Sequence, residues 1–534
     1  MRGLLGIILA LSMATARADR ILLVPLDTRP AAGQFAQMIA RIAGEDLRMP
    51  PYELLGRFTT PGSPDEILTW LRAQDLSKVD TLIVSSDMLC YGGLIASRAN
   101  NVSAAVAESR LNALAEIRRN FPRLRLYVFS ATMRLTPTAT RQAAPWRLRL
   151  ARYEELLDRF RRLKITSLQP EVDALRLSIP PTSLAAYEKA RSRDLEVQRH
   201  LVQLAHAGDL DYLVISEDDA QPYGPQIADT IDLENQVTHL GVAGRVYFCE
   251  GIDQDASVLV SRALLQFSNW FPRVRVVYSD PLGRRKYASY ETKPIELSLQ
   301  DQLLASGARY VKPGEDYDYT LFVNTPKRRE EPFADWLKDI QTEVDLGLPV
   351  AVADVNLAYD GTADQELFDG LSASSRMTKL LAFAGWNTAG NSLGTAIPEA
   401  NVYLLAKKLN VDPLNRELAQ REFLLCRYAD DYAYHKFTRP VAYTMILSAN
   451  HDEVYGEDFF ELDDFVDRDM EKNIQRTFDR EFMGQRFTAG DKTYEICGLE
   501  NVRVWLPWPR AYEVRLQFKL EARPVPASTP PFGL

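Results

Sequence analysis

The sequence predicts an α/β protein, either a (β/α)8-type barrel or an open, doubly wound parallel sheet, with a small C-terminal α+β unit. Three observations carry this. From Arg20 to about Leu405, short apolar, β-branched runs alternate with amphipathic helical stretches, the rhythm of a mostly parallel sheet with helices on its faces. Beyond Leu405 the rhythm stops, and Val514, Leu516, Phe518 and Leu520 alternate with Arg515, Gln517 and Lys519, as in a half-buried antiparallel strand. The 534 residues, 46% hydrophobic and 25% charged, supply one large core.

Taken in order, Arg2, the apolar segment Leu4 to Leu11 and the Ala16-Arg17-Ala18 site read as an export signal over residues 1–18. The segment is too short for a membrane anchor, so the mature chain is expected to be soluble and periplasmic or secreted. Residues 19–405 form the expected α/β, barrel-like catalytic unit. Its strands are predicted at Ile21 to Leu26, Thr81 to Ser85, Leu124 to Phe129, Tyr212 to Ile215 and Arg245 to Phe248. They continue at Val274 to Tyr278, Tyr319 to Val323, Val350 to Ala353 and Leu381 to Ala384. Ser63-Pro64-Asp65-Glu66 opens a helix as a capping box with Pro at the first helical position. A long helical insertion spans about 145–208 and breaks around Ser178 to Thr182. Residues 406–523 form the α+β unit, and 524–534 are a Pro-rich tail.

In parallel sheets, reactive groups collect beyond the carboxyl ends of the strands. Tyr212 to Ile215 runs into three consecutive acids, Glu217, Asp218 and Asp219. Like charges so close resist joint ionisation, and an acid kept protonated beside an ionised one suits acid/base chemistry on sugars. These three are the candidate catalytic residues. The other strand ends supply Asp27, Arg29, Asp87, Asp354, Asn356, Trp386, Asn387 and Asn391, which with Tyr223 form the candidate substrate-binding set. Carboxylates and amides bind hydroxyl pairs, and aromatic faces cover the apolar side of a sugar ring. Arg29 clamps a substrate carboxylate or pairs with Asp27, the pair being favoured. Asn391 or Ser392 caps the following helix. Asp253 and Asp255 give only a weak calcium signal, since the EF-hand spacing is absent.

Absences narrow the field. A net charge of -9 argues against a nucleic-acid partner. None of the five His falls at a predicted strand end, which argues against a Ser-His-Asp triad or a His-built zinc site. There is no dinucleotide fingerprint and no P-loop. No cofactor and no metal are expected, and the four cysteines have no metal-like spacing.

PLDTRP at 25–30, EDDAQPYG at 217–224 and GWNTAGNSLG at 385–394 resemble a family of exported bacterial proteins of unknown function, over nearly the whole mature chain. At a greater distance, the acid pair after the fourth strand is similar to that of the O-GlcNAcase and hyaluronidase-like barrel glycosidases, in which the substrate acetamide is the nucleophile. That similarity implies that Asp218 orients the acetamide and Asp219 protonates the leaving oxygen, with Glu217 or Asp354 as alternative second carboxylates. The resulting expectation is an exported glycoside hydrolase acting on an amino sugar or related glycan. Two alternatives are a metal-dependent phosphate or sulfate ester hydrolase, with Asp27, Asp87, Asp219 and Asp354 gathering the ion, and a non-catalytic periplasmic glycan-binding protein.

Overall fold

The computed structural model describes residues 21–526, apart from residues 100, 327, 359, 374, 375 and 447–452. Residues 1–20, with the expected export signal, and residues 527–534 lie outside the described residues. Five parallel strands come first: β1 (Ile21–Val24), β2 (Thr81–Ser85), β3 (Arg125–Thr132), β4 (Tyr212–Glu217) and β5 (Val246–Glu250). They pair in sequence order, with Ile21 opposite Thr81, Thr81 opposite Arg125, and Tyr127 opposite Tyr212. Five more follow: β6 (Arg273–Tyr278), β7 (Arg309–Tyr310), β8 (Tyr319–Asn324), β9 (Val350–Asp354) and β10 (Ala382–Ala384). Their order is β10-β9-β8-β6-β7, again parallel throughout.

The two sheets are open, and they do not join into the (β/α)8 ring. One of the two seams has a local reason. The short strand β7, two exposed residues without an apolar signature, takes the edge of β6 that a ring would give to β5. The alternative, an open parallel α/β architecture, describes the molecule.

Alternation places the core. In β1, Ile21 and Leu23 face one side while Leu22 and Val24 face the other, as the two-residue period of a strand requires. The second face packs on helices Pro64–Arg72, Ala104–Asn120 and Pro181–Ala207. The first face joins a central core shared with the second sheet. Helices Gln34–Ile42, Asp255–Ser268, Ile295–Ser306 and Ala389–Lys408 pack on one another within that core. Asp255–Ser268 is buried on nearly every side along its first three turns, so it carries no polar stripe.

The insertion folds as helices Arg147–Arg162, Gln169–Ser178 and Pro181–Ala207 around a small core containing Leu150, Leu156, Ile179 and Leu184. Helix Pro64–Arg72 starts where expected, although the Ser63 side chain makes no capping bond. After Ala389–Lys408 the chain continues through Pro413–Arg427, a π-helix Tyr428–Thr438 and helix Glu457–Glu481. It ends in an antiparallel sheet of β11 (Arg486–Ala489), β12 (Lys492–Trp505) and β13 (Arg515–Pro524). Residue 405 lies inside a helix, and the tail's Met470, Ile496 and Leu516 belong to the central core. Among the described residues no helix is long and apolar enough to cross a membrane.

Candidate functional site

Where the strand ends of both sheets meet the tail, a narrow cleft with a cavity volume of about 30 Å³ opens. Arg29 reaches it from the end of β1, Asp253 from the end of β5, and Trp386 and Asn387 from the end of β10. The π-helix contributes Asp430 and His435, and the loop before β13 contributes Tyr512 and Glu513. Phe35 completes the wall, its ring meeting Trp386 edge-on at 5.8 Å. The lining thus combines aromatic rings with carboxylates.

Arg29 organises the floor. Its Nη2 donates to Asp27 at 2.7 Å and to Asp253 at 2.7 Å, and its Nη1 donates to Asp253 at 2.9 Å. The guanidinium lies 4.8 Å from the Trp508 ring, and Trp508 Nε1 donates to Thr28. The expected Asp27–Arg29 pair is therefore present, extended to a carboxylate 224 residues away. Burial, with Arg29 opposing it, pushes the Asp253 carboxyl up to about 6. Neither Asp253 nor Asp255 is arranged for calcium. Asp255 accepts from Ser216 Oγ at 2.6 Å and from Gln254 Nε2 at 3.0 Å. Among the described residues, no group of three or more His, Cys, Asp or Glu side chains could hold a metal ion.

The three consecutive acids diverge. Neighbouring residues at a strand end point to opposite sides, and each finds a different partner. Glu217 turns into the interior, accepting from Thr230 Oγ1 at 2.8 Å. There it lies near Glu250 and Glu291, and burial raises all three carboxyls, that of Glu291 to about 7. Asp218 forms a buried ion pair with Arg98, and Asp219 pairs with Arg134. Asp219 also sits at φ 39°, in the left-handed region, an unusual place for a residue other than glycine. Asp219 is not among the residues that line the cleft, and one of its oxygens is held by Arg134.

The remaining candidates divide between cleft and interior. Trp386 and Asn387 line the cleft, but Asn387 is already engaged, donating to Asn391 at 2.6 Å and accepting from Tyr512 at 2.5 Å. Asn391 is a buried hub that also donates to Gln254 at 2.6 Å, and it does not cap the helix. Thr388 is the cap, its hydroxyl accepting from the Asn391 backbone, while Ser392 bonds the Trp386 backbone. Tyr223 faces the insertion, 5.1 Å from Arg159. Asp87 accepts from the Ala131 backbone at 2.9 Å, and burial pushes it up to about 6. Asp354 accepts from Asn324 at 2.9 Å and from the Asn356 backbone at 3.0 Å, and burial pushes it up to about 7. Asn356 donates to Asp364. Asp27, Asp87, Asp219 and Asp354 thus have separate partners and do not converge on one point.

Sequence reasoning missed Asp430, His435, Tyr512 and Glu513, all in the tail. Asp430 accepts from Arg427 at 3.0 Å through one oxygen, and burial raises its carboxyl. Arg427 is fully buried, also holds Asp431 at 2.7 Å, and lies 3.6 Å from the Phe35 ring. The π-helix explains the oversight. Residues five apart on an α-helix lie about 140° apart around the axis, so Asp430 and His435 do not read as one face. In a π-helix the hydrogen bond spans five residues, and these two positions stack.

The molecule is therefore an open two-sheet α/β protein with an aromatic-walled, carboxylate-bearing cleft at the strand ends. The chain belongs to the family described as Protein of unknown function (DUF4127), whose model matches residues 21–517. No match is found among curated proteins.

Proposed function

We propose that this protein is an exported enzyme that binds a glycan, an amino sugar or a related one, in this cleft and cleaves its glycosidic bond by acid/base chemistry. The observation that carries the reading is the convergence of Trp386, Phe35 and Tyr512 with Asp253, Asp430 and Glu513 around one space. Aromatic rings cover the apolar face of a sugar, and carboxylates bind its hydroxyl pairs. Asp430 takes the proton-donor role first expected of Asp219. It lines the cleft and is partly buried, burial raises its carboxyl pKa against the opposing Arg427 charge, and only one of its oxygens has a protein partner among the described residues. Such a carboxyl keeps its proton nearer neutral pH, as a general acid requires. Asp253, fixed by Arg29, binds and orients the ring. Export rests on the leader segment, Arg2 with Leu4 to Leu11 and the Ala16-Arg17-Ala18 site.

The test is a screen of the mature protein against aryl glycosides, N-acetylhexosaminides included, with and without chelator. Turnover that survives chelation is expected. Turnover lost on chelation would favour the metal-dependent esterase, and tight binding without turnover would favour a glycan-binding protein.

A further inference from the structure

The cleft offers acceptors, while the side-chain donors of its lining are already engaged. All three nitrogens of Arg29 donate to Asp27 or Asp253. Trp386 Nε1 donates to Thr395 at 3.2 Å, Asn387 Nδ2 to Asn391 at 2.6 Å, and the Tyr512 hydroxyl to Asn387 at 2.5 Å. His435 Nδ1 lies 3.3 Å from the Gly361 carbonyl oxygen, which can only accept. Against these stand the carboxylates Asp253, Asp430 and Glu513, whose oxygens keep lone pairs beyond the bonds they take from Arg29, Arg427 and Arg510. The charges are uneven too. Arg29 is shared by Asp27 and Asp253, and Arg427 by Asp430 and Asp431. Arg510 with Glu513 and Arg439 with Asp360 pair one to one, so in these pairings the carboxyls outnumber the guanidiniums. A cavity of about 30 Å³ holds roughly two water-sized groups, which suits an ammonium and not an acetamide.

We propose that the cleft receives a free ammonium group, so that the substrate is an amino sugar without its acetyl group. This names the substrate class of the glycosidase reading and rests on that reading for the reaction. An ammonium presents only donors, and Asp253 and Glu513 accept them in charge-assisted hydrogen bonds. Phe35, Trp386 and Tyr512 cover the adjoining carbons of the sugar. The positive charge offsets the surplus that Asp27 and Asp253 leave around Arg29, while Asp430 keeps the proton it gives to the departing oxygen. An acetamide would instead bring a carbonyl oxygen that needs a donor, into a lining whose side-chain donors are taken. A polar group buried without its partner loses affinity. The route in which the substrate's own acetamide is the nucleophile therefore has no place in this cleft, since an ammonium carries neither a carbonyl oxygen nor a lone pair.

Calorimetric titration of the mature protein tests this with the methyl glycosides of glucosamine and galactosamine, their N-acetyl forms and the parent neutral hexoses. At least one amino sugar should bind about tenfold or more tightly than its N-acetyl and neutral counterparts. Glu513→Gln keeps the side-chain shape and removes the charge. It should weaken binding of that amino sugar by about tenfold and leave the affinity for the neutral sugar where it was, a split that a general loss of structure would not produce. Asp253→Asn is the second variant, with the same split expected, should Glu513→Gln not fold. The inference is overturned if an N-acetyl or neutral sugar binds as tightly as the amino form, if no glycoside binds, or if the folded variant keeps full affinity for the amino sugar. Preferential binding of an amino sugar by a protein that cleaves no aryl glycoside would instead remove the glycosidase reading and leave the ammonium site standing.

Discussion

Arg29→Met removes the cation that holds two buried carboxylates together at the cleft floor. Asp27 and Asp253 each take at least two hydrogen bonds from this one guanidinium, at 2.7 to 3.1 Å. Met retains much of the contact with Trp508 but leaves both acids without their cation. Breaking a buried ion pair from one side costs about 3–5 kcal/mol, and that loss is expected at pH 7. The pH dependence follows from Asp253. Its folded value, about 6, lies above its ordinary 3.8, so the folded state holds the proton more tightly than the unfolded chain. Stability is therefore lost as pH rises from about 4 through 6, by roughly 3 kcal/mol for a shift of this size. Without Arg29 the Asp253 value rises further, and the penalty extends to higher pH. The assay is urea unfolding of wild type and variant at pH 5 and pH 7. The variant's deficit should shrink at pH 5, where Asp253 takes up its proton, and Asp253→Asn in the same background should recover part of it at pH 7. A deficit under about 1 kcal/mol, or one equal at both pH values, would refute the reasoning.

Other predictions concern the interior behind the cleft. Glu291, with a folded value near 7 against an ordinary 4.5, costs stability as pH rises between those values. Glu291→Gln should therefore match wild type at pH 4 and exceed it at pH 8 by up to about 3 kcal/mol, and a variant less stable at pH 8 would contradict this. A Cβ on Gly390 would meet the Glu250 carbonyl oxygen at 2.2 Å, so Gly390→Ala should lower stability by about 1–3 kcal/mol or more. An unchanged unfolding midpoint would show that this close approach is not rigid. Glu217→Gln should leave kcat within about tenfold of wild type, because Glu217 faces Thr230 and not the cleft; a loss beyond 10²-fold, the range of a lost general acid, would return Glu217 to the reaction.

The expected strands were most legible where burial in a parallel sheet makes both faces apolar, as in Ile21–Val24 and Tyr319–Asn324, which are buried throughout. The strand at Arg309–Tyr310 is exposed and two residues long, so it left no apolar trace. Its position beside β6 separates two sheets from one ring. Neighbour relations between strands are set by the path of the connections, which periodicity does not encode. At the site, Arg29 with Asp27 and Trp386 were legible from the strand-end rule. The acid triplet was visible but its geometry was not, because adjacent side chains at the end of β4 part toward Thr230, Arg98 and Arg134. Asp430 and His435 were hidden by a helical register that α-periodicity does not anticipate.

In the proposed reaction, proton donation comes from the π-helix and not from the end of β4. It is tested most directly by measuring kcat for Asp430→Asn and Asp219→Asn side by side on an aryl glycoside that the wild-type protein cleaves. A fall of about 10²–10⁴-fold is expected for Asp430→Asn, with a much smaller change for Asp219→Asn. The reverse order, with Asp219→Asn inactive and Asp430→Asn near wild type, would contradict it.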